Sequence, residues 1–288
     1  MDYAGMWPMF VCMWQSPVHM VFPSIQHIRV IDEALCMSDY VWRYPLSPPA
    51  THRFTMFDET SAPIANSIRL LSIIYMTSQL SNLLRGPIVY LEFKANRGER
   101  PFHYLELTAH NAPFPDSSFK PLLNFNFDCI NHGDVNPIWF QMLLFGLSDQ
   151  LAYVQELTLT NMDAYKPVDL SQLLRSMRSV RKLELLMDED GPHPIVELLG
   201  SVVAERWDER TGTVQRELYL PHLDEFRLGM EDATGNMLEL LIQSLGKRKE
   251  WGSPLRMLHI SASEDYPIED PEESLLLQLV SSLEFEYL

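Results

Sequence analysis

The densest histidine group in the chain is His103, His110 and His132, and histidine is the commonest protein ligand for a transition metal. Their spacings of 7 and 22 residues match no ligand pair on one helical turn, and no Cys-x-x-Cys accompanies them. Surface or satisfied core histidines are therefore the expected reading. The acidic stretch Glu264, Asp265, Glu269, Asp270, Glu272 and Glu273 has the charge for calcium. It lacks the alternating Asp spacing and glycine of a calcium loop, and Pro267 and Pro271 interrupt it, so a solvated loop leading into a helix cap is expected. Asp188-Glu189-Asp190-Gly191 reads as a turn after a strand. No Gly-x-Ser-x-Gly elbow and no Gly-x-Gly occur, which removes the common serine-hydrolase and phosphate-loop signatures. Carboxylates are spread throughout without one pair standing out. No catalytic residue, cofactor or metal ligand is assigned, and the chain is not expected to be an enzyme.

Charge narrows the partners. The 288 residues carry a formal net charge of −17, which repels phosphate backbones and anionic lipid, so neither nucleic acid nor membrane is expected as a partner. Cys12, Cys36 and Cys129 are too few and too scattered for a disulfide framework or a zinc site, and they suit a reducing compartment, cytoplasmic or nuclear. Residues 1–22 are apolar but lack a basic n-region and are broken by Asp2, Pro8, Gln15 and Pro17. They are expected to be a packed strand, an irregular segment or the start of a truncated chain, rather than a signal peptide or a membrane span.

The elements follow from hydrophobic spacing. Residues 1–69 hold two leucines, Leu35 and Leu46, whereas 70–288 hold forty, which divides a leucine-poor segment, 1–60, from a leucine-driven domain, 61–288. A pattern of apolar-x-x-apolar-x-apolar recurs as Ile25/Ile28/Val30, Ile88/Leu91/Phe93, Phe102/Leu105/Leu107 and Leu122/Phe125/Phe127. It returns as Val154/Leu157/Leu159, Val180/Leu183/Leu185, Leu223/Phe226/Leu228 and Leu255/Leu258/Ile260. Alternation with a polar residue inside each final pair marks a short half-buried strand. Helix patterns lie between the later strands. Pro137, Asp169, Pro194 and Asp270-Pro271 open four of them, 234–249 is a fifth ending in Lys247-Arg248-Lys249, and 66–85 precedes the strand at Ile88. The segment from Pro194 through Trp207 reads as one helix with Ile195, Leu198, Leu199, Val202 and Val203 on one face, followed by a polar insertion around Gly212.

Strand centres Leu157, Leu183, Phe226 and Leu258 lie 26, 43 and 32 residues apart. Leucine-rich repeats run about 20–29 residues with one strand per repeat, so an irregular solenoid with one insertion fits. The asparagine of regular repeats is replaced by Met162, Asp188, Glu231 and Ser263. A doubly wound sheet would bury its strands on both faces and make them continuously apolar, whereas these alternate. The expected fold is an α/β, irregular leucine-rich-repeat-like solenoid of alternating short parallel strands and helices. Such folds bind proteins on the strand face, so Glu92, Glu106, Thr158, Glu184, Arg227 and His259 are the candidate partner-binding residues.

The segments LAYVQELTLTN (151–161), DLSQLLRSMRSVRKLELLM (169–187), IVELLGSVVAERWDE (195–209), LPHLDEFRL (220–228) and SPLRMLHIS (253–261) resemble mushroom-type fungal F-box-like proteins with degenerate leucine-rich repeats, over residues 60–288. The resemblance implies that the repeats capture a substrate protein for an SCF ubiquitin ligase. An N-terminal F-box would dock on the adaptor subunit, but residues 1–60 show no Leu-Pro-x-Glu start and almost no leucine, so the F-box itself is not recognisable. A protein-binding solenoid is the leading expectation. The alternative is a hydrolase or transferase on an α/β scaffold whose site is assembled from distant residues.

Overall fold

The computed structural model describes residues 27–33, 51–58, 87–97, 103–111, 123–129, 144, 147–162, 167–187, 193–208, 210, 212–230, 235–263, 268 and 270–287. The expected helices at 66–85 and after Pro137, and the turn at Asp188–Gly191, lie outside the described residues. The strands are β1 (His27–Glu33), β2 (Thr51–Asp58), β3 (Tyr90–Arg97), β4 (His103–His110), β5 (Leu123–Cys129), β6 (Glu156–Thr160), β7 (Lys182–Met187), β8 (Val202–Asp208), β9 (Thr213–Leu218), β10 (Glu225–Met230), β11 (Met257–Ala262) and β12 (Ser282–Tyr287). The helices are α1 (Ser148–Leu151), α2 (Pro167–Ser176), α3 (Pro194–Leu199), α4 (Gly235–Glu250) and α5 (Asp270–Leu279).

A 10-stranded sheet runs in the order β1-β2-β5-β4-β3-β6-β7-β10-β11-β12, and β8 and β9 form a separate hairpin. Within the large sheet β4 is antiparallel to β3 and to β5, and every other neighbouring pair is parallel. The protein is thus a mixed α/β structure with a mostly parallel sheet. Strict alternation of parallel strands and helices fails at β3–β4–β5. The link 98–102 is too short for the helical crossover that a parallel pair requires, so β4 turns back beside β3. β1 and β2, on the N-terminal side of residue 60, belong to the same sheet as the rest.

In β7, β10 and β11 burial alternates along the strand, whereas in β6 Leu157, Thr158 and Leu159 are all buried. Leu183 and Leu185 of β7, Phe226 and Leu228 of β10, and Leu258 and Ile260 of β11 are fully buried, while the residues between them are half-buried. The buried side meets Leu170, Leu173 and Leu174 of α2, Ile195, Val196 and Leu199 of α3, Met237, Leu238 and Leu241 of α4, and Leu276 of α5. At about 1.5–3 kcal/mol for each buried aliphatic side chain, this shared layer is the dominant stabilising term. In five of the sequence patterns the first apolar residue sits outside its strand. Ile88, Val154, Val180, Leu223 and Leu255 precede the strands and are buried in the turns that lead into them.

Those turns repeat one hydrogen-bond device. Gln155 and Glu156 donate their N–H groups to Val89 O, Arg181 and Lys182 to Gln155 O, Asp224 and Glu225 to Arg181 O, Arg256 and Met257 to Asp224 O, and Ser281 and Ser282 to Arg256 O. Each strand entry is therefore pinned to the entry of the strand beside it.

The segment opened by Pro194 departs from the single expected helix. Its cap is His193, whose Nδ1 accepts from Ile195 N at 3.2 Å. The helix stops at Leu199, and the β-branched pair Val202-Val203 begins β8 instead. Val202–Asp208 pairs antiparallel with Thr213–Leu218, so the expected polar insertion is a hairpin. Gly200 allows the chain to leave α3 directly against α4: a Cβ there would stand 2.6 Å from Ser244 Cα. α4 itself ends in a Schellman motif, with Gly252 at φ 78, Gly252 N bonded to Lys249 O and Ser253 N to Arg248 O.

Two predictions follow from this packing. Gly200→Ala forces α3 and α4 apart and is expected to cost about 1–3 kcal/mol in urea unfolding, whereas Gly246→Ala, which meets nothing within 4 Å, leaves stability unchanged or raises it. Burial pushes the His193 imidazole down from 6.5 to about 4. The unfolded chain then takes up a proton near pH 6.5 and the folded chain only near pH 4. Stability is expected to fall by about 3 kcal/mol as pH drops across that window and to level off below it. His193→Asn keeps a capping acceptor and should remove this limb of the stability–pH curve.

Candidate functional site

The face of the sheet opposite the helices carries its polar residues in register. Across parallel partners the row reads Glu92 on β3, Thr158 on β6, Glu184 on β7, Arg227 on β10, His259 on β11 and Glu284 on β12. Five of the six candidate residues thus fall on one line. At about 4.8 Å between strands it extends for roughly 24 Å. Glu106 belongs to the next line, opposite Lys94 of β3 and Asn126 of β5. Glu284, opposite His259, was not singled out from the sequence. Val280/Leu283/Phe285 repeat the strand pattern and were the available signal.

The row is knit by side chains. The Tyr90 hydroxyl donates to Thr158 Oγ1 at 3.2 Å, and the Thr158 hydroxyl donates to Glu184 Oε2 at 3.2 Å. Tyr90 is 6% exposed, and burial first, opposed by its bond to Thr158, pushes its phenol up to about 12. It serves as a neutral donor that orients the acceptor beside it. His110 lies edge-on to the Tyr90 ring at 5.6 Å, and burial lowers its imidazole below the usual value. Glu225 faces Lys182 Nζ and Arg227 Nε, each at 3.6 Å. Such partly exposed ion pairs add little stability.

At the other end His259 is 16% exposed between two carboxylates. Its Nδ1 lies 3.3 Å from Glu284 Oε2, and its Nε2 lies 3.1 Å from Ser261 Oγ and 3.3 Å from Glu286 Oε2. With Nδ1–H donated to Glu284, Nε2 accepts from Ser261, which is the connectivity of an acid–histidine–serine relay. Glu286 competes for the same nitrogen. β11 pairs on both sides, so its backbone is engaged in ladders rather than presented as an oxyanion hole.

His103 and His110 open and close β4, about 23 Å apart along the strand, and cannot share an ion. Among the described residues no cluster of three or more His, Cys, Asp or Glu side chains is arranged to hold a metal, and no helix is long and apolar enough to cross a membrane. Asp270, Glu272 and Glu273 lie in the first turn of α5, where the helix dipole favours them. Sequence reasoning also missed the exposed pair Trp207, 64% exposed, and Val214, opposite each other on the hairpin.

No family model matches the chain, and no curated protein or solved structure matches it.

Thr158→Val removes both hydroxyl bonds of the Tyr90–Thr158–Glu184 chain while keeping the side-chain volume. It is expected to cost about 1–2 kcal/mol in chemical unfolding, and Thr158→Ser should retain most of that.

Proposed function

We propose that the chain is a protein-binding module whose open sheet face receives the partner, resembling the substrate-recognition part of an SCF ubiquitin ligase F-box protein. The observation that carries the reading is the continuous register row Glu92–Thr158–Glu184–Arg227–His259 on the side of the sheet away from the helices. One face is committed to the core; on the other, Thr158 is buried between Tyr90 and Glu184, while Glu184, Arg227, His259 and Glu284 are partly or well exposed along the line where an extended segment of another protein would lie. The repeated bonding of neighbouring strand entries supports an irregular leucine-rich-repeat-like solenoid as the frame, with the β8–β9 hairpin as an insertion. A binding role without catalysis follows from this reading, and the three scattered cysteines favour a cytoplasmic or nuclear setting.

The test is affinity purification of the tagged full-length chain from a fungal extract, in parallel with the charge-exchanged variant Glu184→Arg/Arg227→Glu. Proteins recovered with the native chain and reduced about tenfold or more with the folded variant are the expected outcome. Equal recovery with both would contradict the assignment of this face. SCF adaptor and cullin subunits among the recovered proteins would attach the module to the ligase, and their absence would place it outside that assembly.

A second reading, a serine hydrolase, is favoured by one arrangement, Ser261–His259–Glu284. Under it a fluorophosphonate probe labels Ser261 and His259→Ala abolishes the label. Under the binding reading the native chain stays unlabelled.

A further inference from the structure

Among the described residues β12 is the last strand of the large sheet, and this edge has properties that the open face does not. β12 pairs only with β11 among the described residues, in uninterrupted register from Ser282 to Tyr287. Sheet edges are usually blunted by charged side chains, lysine above all, by proline, by a bulge or by a covering element, and of these β12 carries the charges of Glu284 and Glu286. The sequence SLEFEY has neither proline nor lysine, and its register has no bulge. Alternate residues differ sharply. Glu284 and Glu286 stand on the open face with side chains 54% and 59% exposed, each held from the inner side by His259. Leu283 and Phe285 stand on the helix side, partly buried against the core, and Tyr287 is 45% exposed.

We propose that the β12 edge takes an extended segment of another protein with alternating basic and apolar side chains, added to the sheet as a further strand. Backbone hydrogen bonds supply the pairing, as in other strand-addition complexes. The guest's basic residues fall beside Glu284 and Glu286, and its apolar residues continue the surface of Leu283, Phe285 and Tyr287. A second copy of this chain is the disfavoured occupant. Edge-to-edge pairing of two β12 strands sets glutamates against glutamates, and each copy brings a net charge of −17. The edge shares Glu284 with the polar row but lies two strands away from Arg227, so a charge exchange at Glu184 and Arg227 distinguishes the two assignments.

The probe is a fluorescein-labelled eight-residue peptide of alternating lysine and valine, titrated into the full-length chain, with hydrogen exchange recorded on the complex. Saturable binding with new amide protection across residues 282–287 is expected. Glu284→Lys/Glu286→Lys should weaken it about tenfold or more, Glu284→Gln/Glu286→Gln should weaken it less, and Glu184→Arg/Arg227→Glu should leave it unchanged. Methylating alternate peptide nitrogens on the pairing edge should abolish it. Circular dichroism of each variant confirms the fold, and the glutamine pair, which changes no shape, keeps the test decisive if the lysine pair unfolds. The proposal is overturned by absence of saturable binding, by equal affinity for the N-methylated peptide, or by concentration-dependent self-association that protects residues 282–287 without peptide.

Discussion

Arg248 carries its guanidinium into the interior with no exposed surface, and its charge is met by carbonyl oxygens. One terminal nitrogen donates to Tyr219 O at 2.9 Å and to Leu199 O at 3.4 Å, and the other donates to Leu220 O at 3.0 Å and to Ser253 Oγ at 3.3 Å. Ser253 in turn donates to Pro221 O at 3.0 Å. Burial lowers the guanidinium to about 10, which still leaves it fully charged at neutral pH. One side chain of α4 thereby gathers the end of α3, the chain returning from the hairpin and the turn after α4. Leu220, buried with φ 46, is a strained left-handed residue whose carbonyl is one of those gathered.

The consequence reaches the open face. After β7 the chain leaves the sheet for α3 and for the β8–β9 hairpin, then must return so that Glu184 and Arg227 become neighbours. The hairpin is held by surface contacts, Arg216 over the Trp251 ring at 5.7 Å and Arg178 to Glu217 at 2.8 Å. These are individually weak. The buried clamp on residues 219–221 is what sets the approach of β10, and the paired N–H groups of Asp224 and Glu225 on Arg181 O complete the alignment. Core packing on one side and polar register on the other are thus two results of one return path.

Much of this was legible in the sequence because strands that bury one face must alternate. The apolar-x-x-apolar-x-apolar pattern located β1, β3 to β7, β10 and β11, and the polar residue within each pattern fell on the face away from the helices wherever burial was described. What the pattern could not carry was order. Nothing local in β4 states that it runs against its neighbours, since alternation is the same in either direction. Helical spacing at Val202 and Val203 imitated a continuation of α3, and only the partner strand Thr213–Leu218, supplied from farther along the chain, decides for β8. The basic triplet Lys247-Arg248-Lys249 reads as a solvated helix end, yet Arg248 is the buried member, because its carbonyl acceptors come from residues 28 to 49 positions away. The Tyr90–Thr158–Glu184 chain joins residues 68 and 26 apart and was likewise beyond local spacing.

The most direct test of this account is hydrogen exchange and urea unfolding of the full-length chain carrying Arg248→Met, which keeps the volume and removes the charge and donors. The account predicts a loss of about 3 kcal/mol, with faster exchange concentrated at residues 218–225 and 253–257 and spreading to β10 before β6 and β7. Unchanged stability and an unchanged exchange pattern would contradict it, and the register of the polar row would then have to be held by the leucine layer alone.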